Sequence, residues 1–170
     1  GEPLLANSQS IGANNSSESG IRPSGGYLVC QSGSDGFEIT GIKIDDRSAI
    51  TFEAVVNMDA IKRSDYPTIV GSSIGLALKF DPKSLDFFLE NRLASGTSQT
   101  HWAGVHSGPV PTNQWVHVAA CFDGVDRFAL YVDGKLRTTN KVDYKPNTDR
   151  TNSNLVVNAY GSLFAKLDAV

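Results

Sequence analysis

The sequence predicts an all-β fold of two antiparallel sheets packed face to face, and three observations carry that prediction. Apolar residues alternate with a period of two through Val116, Val118, Ala120 and Phe122, and again through Phe128, Leu130 and Val132. That spacing puts every second side chain on one side of a strand. Between Val132 and Lys135 stand Asp133 and Gly134, a pair that accepts the positive φ angles of a two-residue type I′ turn, so Phe128 to Asp133 is expected to fold back on Lys135 to Thr139. Other short apolar runs are separated by breakers such as Asp45-Asp46, Asp81-Pro82, Gly108-Pro109 and Lys145-Pro146-Asn147. Many strands with one apolar face each bury those faces most economically as a two-sheet sandwich.

Taken in order, residues 1–26 are rich in Ser, Asn and Gly, with isolated apolar residues at Leu4, Leu5 and Ile11. They read as a polar arm or linker, part of it lying against a sandwich domain that occupies 27–170. Strands are expected over Tyr27 to Gln31, Gly36 to Thr40, Ala49 to Met58, Pro67 to Gly71, Ile74 to Phe80 and Ser84 to Asn91. They continue over Thr100 to His106, Trp115 to Asp123, Arg127 to Asp133, Lys135 to Thr139, Asn154 to Ala159 and Leu163 to Val170. No helix longer than a turn or two is predicted. With Ile50, Phe52, Ala54, Val56 and Met58 inward, the opposite face carries Thr51, Glu53, Val55 and Asn57; with Phe128, Leu130 and Val132 inward, it carries Arg127, Ala129, Tyr131 and Asp133.

Composition narrows the function classes. Fifteen Lys and Arg stand against eighteen Asp and Glu, with no basic run, so the footprint of a nucleic-acid binder is missing. No stretch has the apolar length that membrane insertion requires, and the first residues are polar rather than basic then apolar. Cys30 and Cys121 are an even pair far apart in sequence. They suit either two buried thiols or one disulfide joining the first strand to a central one.

The segment from Trp115 to Gly134 also carries a family pattern, through Trp115, His117, Val118, Ala119, Phe122, Asp123, Gly124, Leu130, Tyr131, Val132, Asp133 and Gly134. In these residues the chain resembles the laminin-G-like jelly roll of the concanavalin A-like lectin and glucanase superfamily. Ala49 to Met58, with its internal Glu53, resembles the family's long central strand, and Phe164 to Val170 its closing strand. Cys121 stands where the family often has threonine and Val56 where it often has tryptophan; the closing strand ends without its usual continuation, which suggests a fragment of a longer protein. The resemblance implies a non-catalytic recognition module, most readily one for an oligosaccharide or polysaccharide, in a secreted or cell-surface protein. A protein partner, in an adhesion or structural role, and an accessory domain of a glycoside-processing enzyme are the alternatives. At Trp115 it implies a structural position in the core or at a strand start, and at His117 a structural position on its strand.

Catalytic constellations are missing from the sequence pattern. A glucan-cleaving relative would carry Glu-x-Asp-x-x-Glu on one strand, with carboxylates as nucleophile and general acid. That motif is absent, and Asp45-Asp46 and Asp59 with Asp65 fall in expected turns. His101 and His106 are five apart, which opposes their side chains on an extended strand and argues against a two-His zinc site. Sugar recognition instead needs a flat aromatic surface beside planar hydrogen-bonding groups. The segments that offer these are Asp65 and Tyr66 before Pro67, Asn91 and Arg92 after Phe87-Phe88, His101 with Trp102, and Tyr160. Trp102 is the expected centre, with core packing as the competing role. Family resemblance also raises one calcium ion on loop carboxylates, with Asp35, Asp45, Asp46, Asp123 and Asp168 as candidates, although no contiguous ligand loop exists.

Overall fold

The computed structural model describes residues 8–10, 22–24, 27–30, 36–45, 48–59, 65–72, 75–92, 102–141, 153–159 and 165–168. These residues form strands and turns with no helix. The first sheet contains β1 (Ser8–Ser10), β4 (Phe37–Ile44), β6 (Thr68–Ser72), β7 (Ala77–Asp81), β8 (Asp86–Arg92), β9 (Trp102–Pro109) and β13 (Ser153–Ala159). The second contains β2 (Arg22–Ser24), β3 (Tyr27–Cys30), β5 (Ile50–Met58), β10 (Trp115–Phe122), β11 (Arg127–Val132), β12 (Lys135–Lys141) and β14 (Ala165–Leu167). Their orders are β1-β4-β13-β6-β7-β8-β9 and β12-β11-β10-β5-β14-β3-β2, with antiparallel pairing throughout. Within residues 1–26, expected as an arm or linker, β1 pairs with β4 and β2 with β3.

The core lies between the sheets. From the second sheet come Phe52, Ala54, Val56 and Met58, then Val116, Val118, Ala120 and Phe122, then Phe128, Leu130 and Val132. Leu78, Phe80, Phe87, Leu89 and Val105 meet them from the first. Strict alternation on β5, β10 and β11 follows from one buried and one outward face on each strand. Phe122 stacks on Phe128 with ring centroids 4.8 Å apart, and Phe80 meets Phe87 edge-on at 5.6 Å. These rings bury the largest apolar areas in the sandwich.

The predicted hairpin is present. Val132 pairs with Lys135 across Asp133 (φ +50°) and Gly134 (φ +72°), the two positive angles of a type I′ turn. Asp123 organises the preceding turn, where its Oδ1 accepts the backbone N–H groups of Val125, Asp126 and Arg127. At the edge of the sandwich the Arg137 guanidinium donates to the carbonyls of Ser107 and Pro109, tying β12 to β9 and occupying two edge acceptors.

Neither cysteine is in a disulfide. Cys30 is buried in the core, whereas Cys121 is half-buried on the outward face of β10 and accepts a hydrogen bond from Thr51 Oγ1. In the order β10-β5-β14-β3, three strand spacings of about 4.8 Å put their backbones roughly 14 Å apart. That exceeds the Cα separation of about 7 Å that a disulfide can bridge. The disulfide alternative is thereby excluded, and for Cys121 so is full burial.

Candidate functional site

Across β6 to β9, successive strands pair Thr68 with Lys79, Lys79 with Phe88, and Phe88 with His106. Because Phe87 and Leu89 belong to the core, the pleat turns Phe88 to the opposite, outward face of the first sheet. Yet Phe88 is only 5% exposed. Two rings cover it: Tyr66 meets it edge-on at 5.7 Å and His106 stacks on it at 5.1 Å. Tyr66 itself stays 43% exposed, with Lys83 Nζ 6.0 Å from its ring centroid. The result is an aromatic platform raised on a buried ring.

Carboxylates fix the rim of this platform. His106 Nδ1 lies 3.3 Å from both oxygens of Asp86, whose side chain is 8% exposed against 59% for His106. A carboxylate only accepts, so Nδ1–H is the donor in this contact. Beside it, burial pushes the Asp81 carboxyl up, but the Lys83 N–H, the Ser84 hydroxyl and N–H, and the charge of His106 outweigh it and hold Asp81 below the usual aspartate range. Asp81 Oδ1 accepts the Lys83 N–H at 2.8 Å, which shapes the turn that carries the Lys83 side chain to Tyr66. One row further on, Lys79 Nζ pairs with Glu90 Oε1 at 2.6 Å, both largely buried.

Asp86 and Glu90 share the outward face of β8, a same-face pair that the sequence reading of acidic strings missed. They are four positions apart, about 13 Å along a strand, against roughly 5 to 9.5 Å for the carboxylates of a glycosidase. Phe88 stands between them, and each carboxylate has its own basic partner.

The expected site residues separate into three groups. Tyr66 is on the platform, and Asp65, half-buried, immediately precedes it. Asn91 ends the strand expected over Ser84 to Asn91 and Arg92 extends it, both within β8, but Asn91, expected to contact sugar, is 0% exposed. Its parity with Phe87 and Leu89 turns it inward, which removes it from any sugar-contacting set. Trp102 opens β9 and pairs in backbone register with Arg92, two positions beyond the Glu90–Gly104 pair. His101 and Tyr160 lie outside the described residues. Phe88, His106, Asp86 and Lys83 were not foreseen. The alternation of Asp86, Phe88 and Glu90 signals an outward face with a ring in it, but not that Tyr66 closes over it from 22 residues earlier in the chain.

Trp115, expected in the core or at a strand start, does begin β10 but is 43% exposed, so its core assignment is corrected. Among the described residues, no three His, Cys, Asp or Glu side chains gather where a metal ion would fit. Of the calcium candidates, Asp123 is committed to its own turn. Asp45 ends β4 in the first sheet while Asp168 follows β14 in the second, and Asp35 and Asp46 lie outside the described residues.

The described strands form a sandwich of two antiparallel seven-stranded sheets. Residues 31–169 match the laminin G family model of the Concanavalin A-like lectin/glucanases superfamily, and the chain belongs to that family. No curated protein matches it. Among solved structures, the binding domain of Paraclostridial Mosquitocidal Protein 1 is similar at a TM-score of 0.63 and 11% identity, over 96% of this chain and 41% of that one. The ligand binding domain of botulinum neurotoxin serotype D, solved in complex with N-acetylneuraminic acid, gives 0.61 and 12%, over 94% and 40%. Domain 4 of AbnA, an extracellular GH43 arabinanase from Geobacillus stearothermophilus, solved in complex with arabinotriose, gives 0.54 and 15%, over 83% and 68%. At these identities the likeness is one of fold. The chain spans about two fifths of the toxin domains it matches.

Proposed function

We propose that this chain is a non-catalytic carbohydrate-binding module of a secreted or cell-surface protein, and that it receives a saccharide on the Tyr66–Phe88–His106 platform. The observation that carries the reading is the exposed Tyr66 ring, mounted edge-on over buried Phe88 and flanked by Lys83 and an Asp86-anchored His106. A pyranose or furanose presents a C–H face that stacks on such a ring, while its hydroxyls take up the ammonium and imidazole groups at the rim. The saccharides bound by the toxin and arabinanase neighbours support this reading. So does the spacing of Asp86 and Glu90, which suits hydrolysis poorly. The arabinanase neighbour, itself one domain of an enzyme, favours a role as an accessory domain of a glycoside-processing protein. Arg92 and Trp102, paired in register beyond Glu90 and Gly104, extend the proposed site along β8 and β9.

Binding to a glycan array, followed by titration with arabinotriose and N-acetylneuraminic acid, tests the proposal. Tyr66→Ala is expected to abolish the saccharide signal that this site produces and to lower the thermal midpoint only modestly, because Tyr66 is outside the core and caps Phe88 from the surface. Trp102→Ala is expected to weaken the same signal. An array dark for the wild-type chain, or one on which no signal falls with Tyr66→Ala, overturns the assignment.

A further inference from the structure

The outward face of the second sheet carries a separate aromatic centre. Trp115 is 43% exposed there, and register places Asn57 beside it on β5 and Lys166 beyond that on β14. Direct cross-strand partners hold their Cβ atoms about 4.5 to 5.5 Å apart, so Asn57 is the residue next to Trp115 across the strand pair. Two positions along β10, on the same face, His117 places Nε2 2.6 Å from Glu53 Oε1, with side-chain exposures of 34% and 66%. The His117 backbone N–H donates to Asp133 Oδ1 at 3.0 Å, which brings a second carboxylate to the same row.

This surroundings differs from that of a protein-binding hot spot, where an aromatic anchor sits in an apolar core behind a polar rim. Here the residues that share the indole's face are polar: Asn57 in register on β5, Lys166 one strand further on β14, His117 two positions along β10, and Glu53 against His117. A flat ring sharing its face with planar donors and acceptors matches a sugar ring, whose C–H face and equatorial hydroxyls lie at right angles to one another. We infer that the Trp115 face is a second saccharide-binding surface, formed by Trp115 with Asn57, Lys166, His117 and Glu53. It is independent of the Tyr66 platform. The two lie on the outward faces of sheets packed about 10 Å apart, with the whole core between them, so one sugar residue cannot touch both. One domain would therefore bridge two glycan chains and gain avidity on a polymeric surface.

A glycan array probed with single and double variants separates this inference from the function proposed above. Tyr66→Ala is expected to retain a subset of saccharide signals, which fall at least tenfold when Trp115→Ala is added, while Trp115→Ala alone keeps the Tyr66-dependent subset. Asn57→Ala and Lys166→Ala, which leave the indole in place, are expected to weaken the same Trp115-dependent subset and guard against a folding defect in Trp115→Ala. Signals that depend on Tyr66 alone overturn the second surface and leave the first standing. Signals that depend on Trp115 alone sustain it and overturn the Tyr66 platform. A dark array overturns both.

Discussion

The side chains that matter most are held by very local chemistry. Phe88 faces outward only because Phe87 and Leu89 on either side face the core, and its burial then depends on Tyr66 and His106. Phe88→Ala should accordingly both weaken saccharide binding and lower stability by about 2 to 4 kcal/mol, less than a central core aromatic and more than Tyr66→Ala. Parallel denaturant titrations of the two variants check that ordering. Asp123 illustrates a different residue-scale device. The Arg127 N–H is the largest influence on its carboxyl, ahead of a small opposing effect of burial, and with the Val125 and Asp126 N–H groups it holds Asp123 below the usual aspartate range. A depressed folded-state pKa contributes stability that is present above the unfolded value of about 3.9 and is lost as pH falls through the folded value. The difference in thermal midpoint between wild type and Asp123→Ala is therefore expected to be full at neutral pH and to close in that acid range. A difference that stays constant down to pH 2 would show that the carboxylate charge is irrelevant to the turn.

At the scale of elements, the hairpin and the pleat set what the sheets present. Gly134 sits at φ +72° with nothing within 4 Å of the position a Cβ would take, so the cost of a side chain there is backbone strain alone. Gly134→Val should lower stability by roughly 1 to 3 kcal/mol, whereas Gly134→Asn, which tolerates positive φ, should cost much less. Equal denaturation midpoints for the two variants would remove the turn assignment. Gly104 is constrained by space instead: a Cβ would come within 2.2 Å of the Leu89 carbonyl oxygen. It pairs with Glu90, one row from the platform, so Gly104→Ala is expected to push β9 away from β8 and weaken saccharide binding as well as stability. Circular dichroism and array binding on the same preparation read both effects.

For the whole molecule, two sheets bury one apolar face each and leave the other faces free to carry function. Stability is supplied by that core without a covalent staple, since the two thiols stand on different faces of separated strands. The thermal midpoint is accordingly expected to be the same with and without reductant, and unfolded protein to titrate two thiols. A midpoint that drops on reduction would contradict the free-thiol arrangement.

How much of this was legible beforehand follows from the range of the physics involved. The all-β class, the β10–β11–β12 meander, the type I′ turn at Asp133-Gly134 and the inward sets on β5, β10 and β11 depend on neighbours within a few residues, and alternation and turn chemistry record those directly. The sequence by itself also determined the absence of a glucanase carboxylate motif. The site was legible only in part: Tyr66 was recognisable as a ring beside polar groups, while Asn91 was read as a sugar contact although it shares the inward parity of Phe87 and Leu89 and is fully buried. Only the tertiary structure decided that Tyr66 and His106 close on Phe88, that Trp115 stands half-exposed rather than in the core, and that Cys30 and Cys121 lie on opposite sides of the second sheet. Those are outcomes of strand order and register between segments tens of residues apart, which no local periodicity encodes, because the same alternating strand can be paired in many orders with its buried face unchanged.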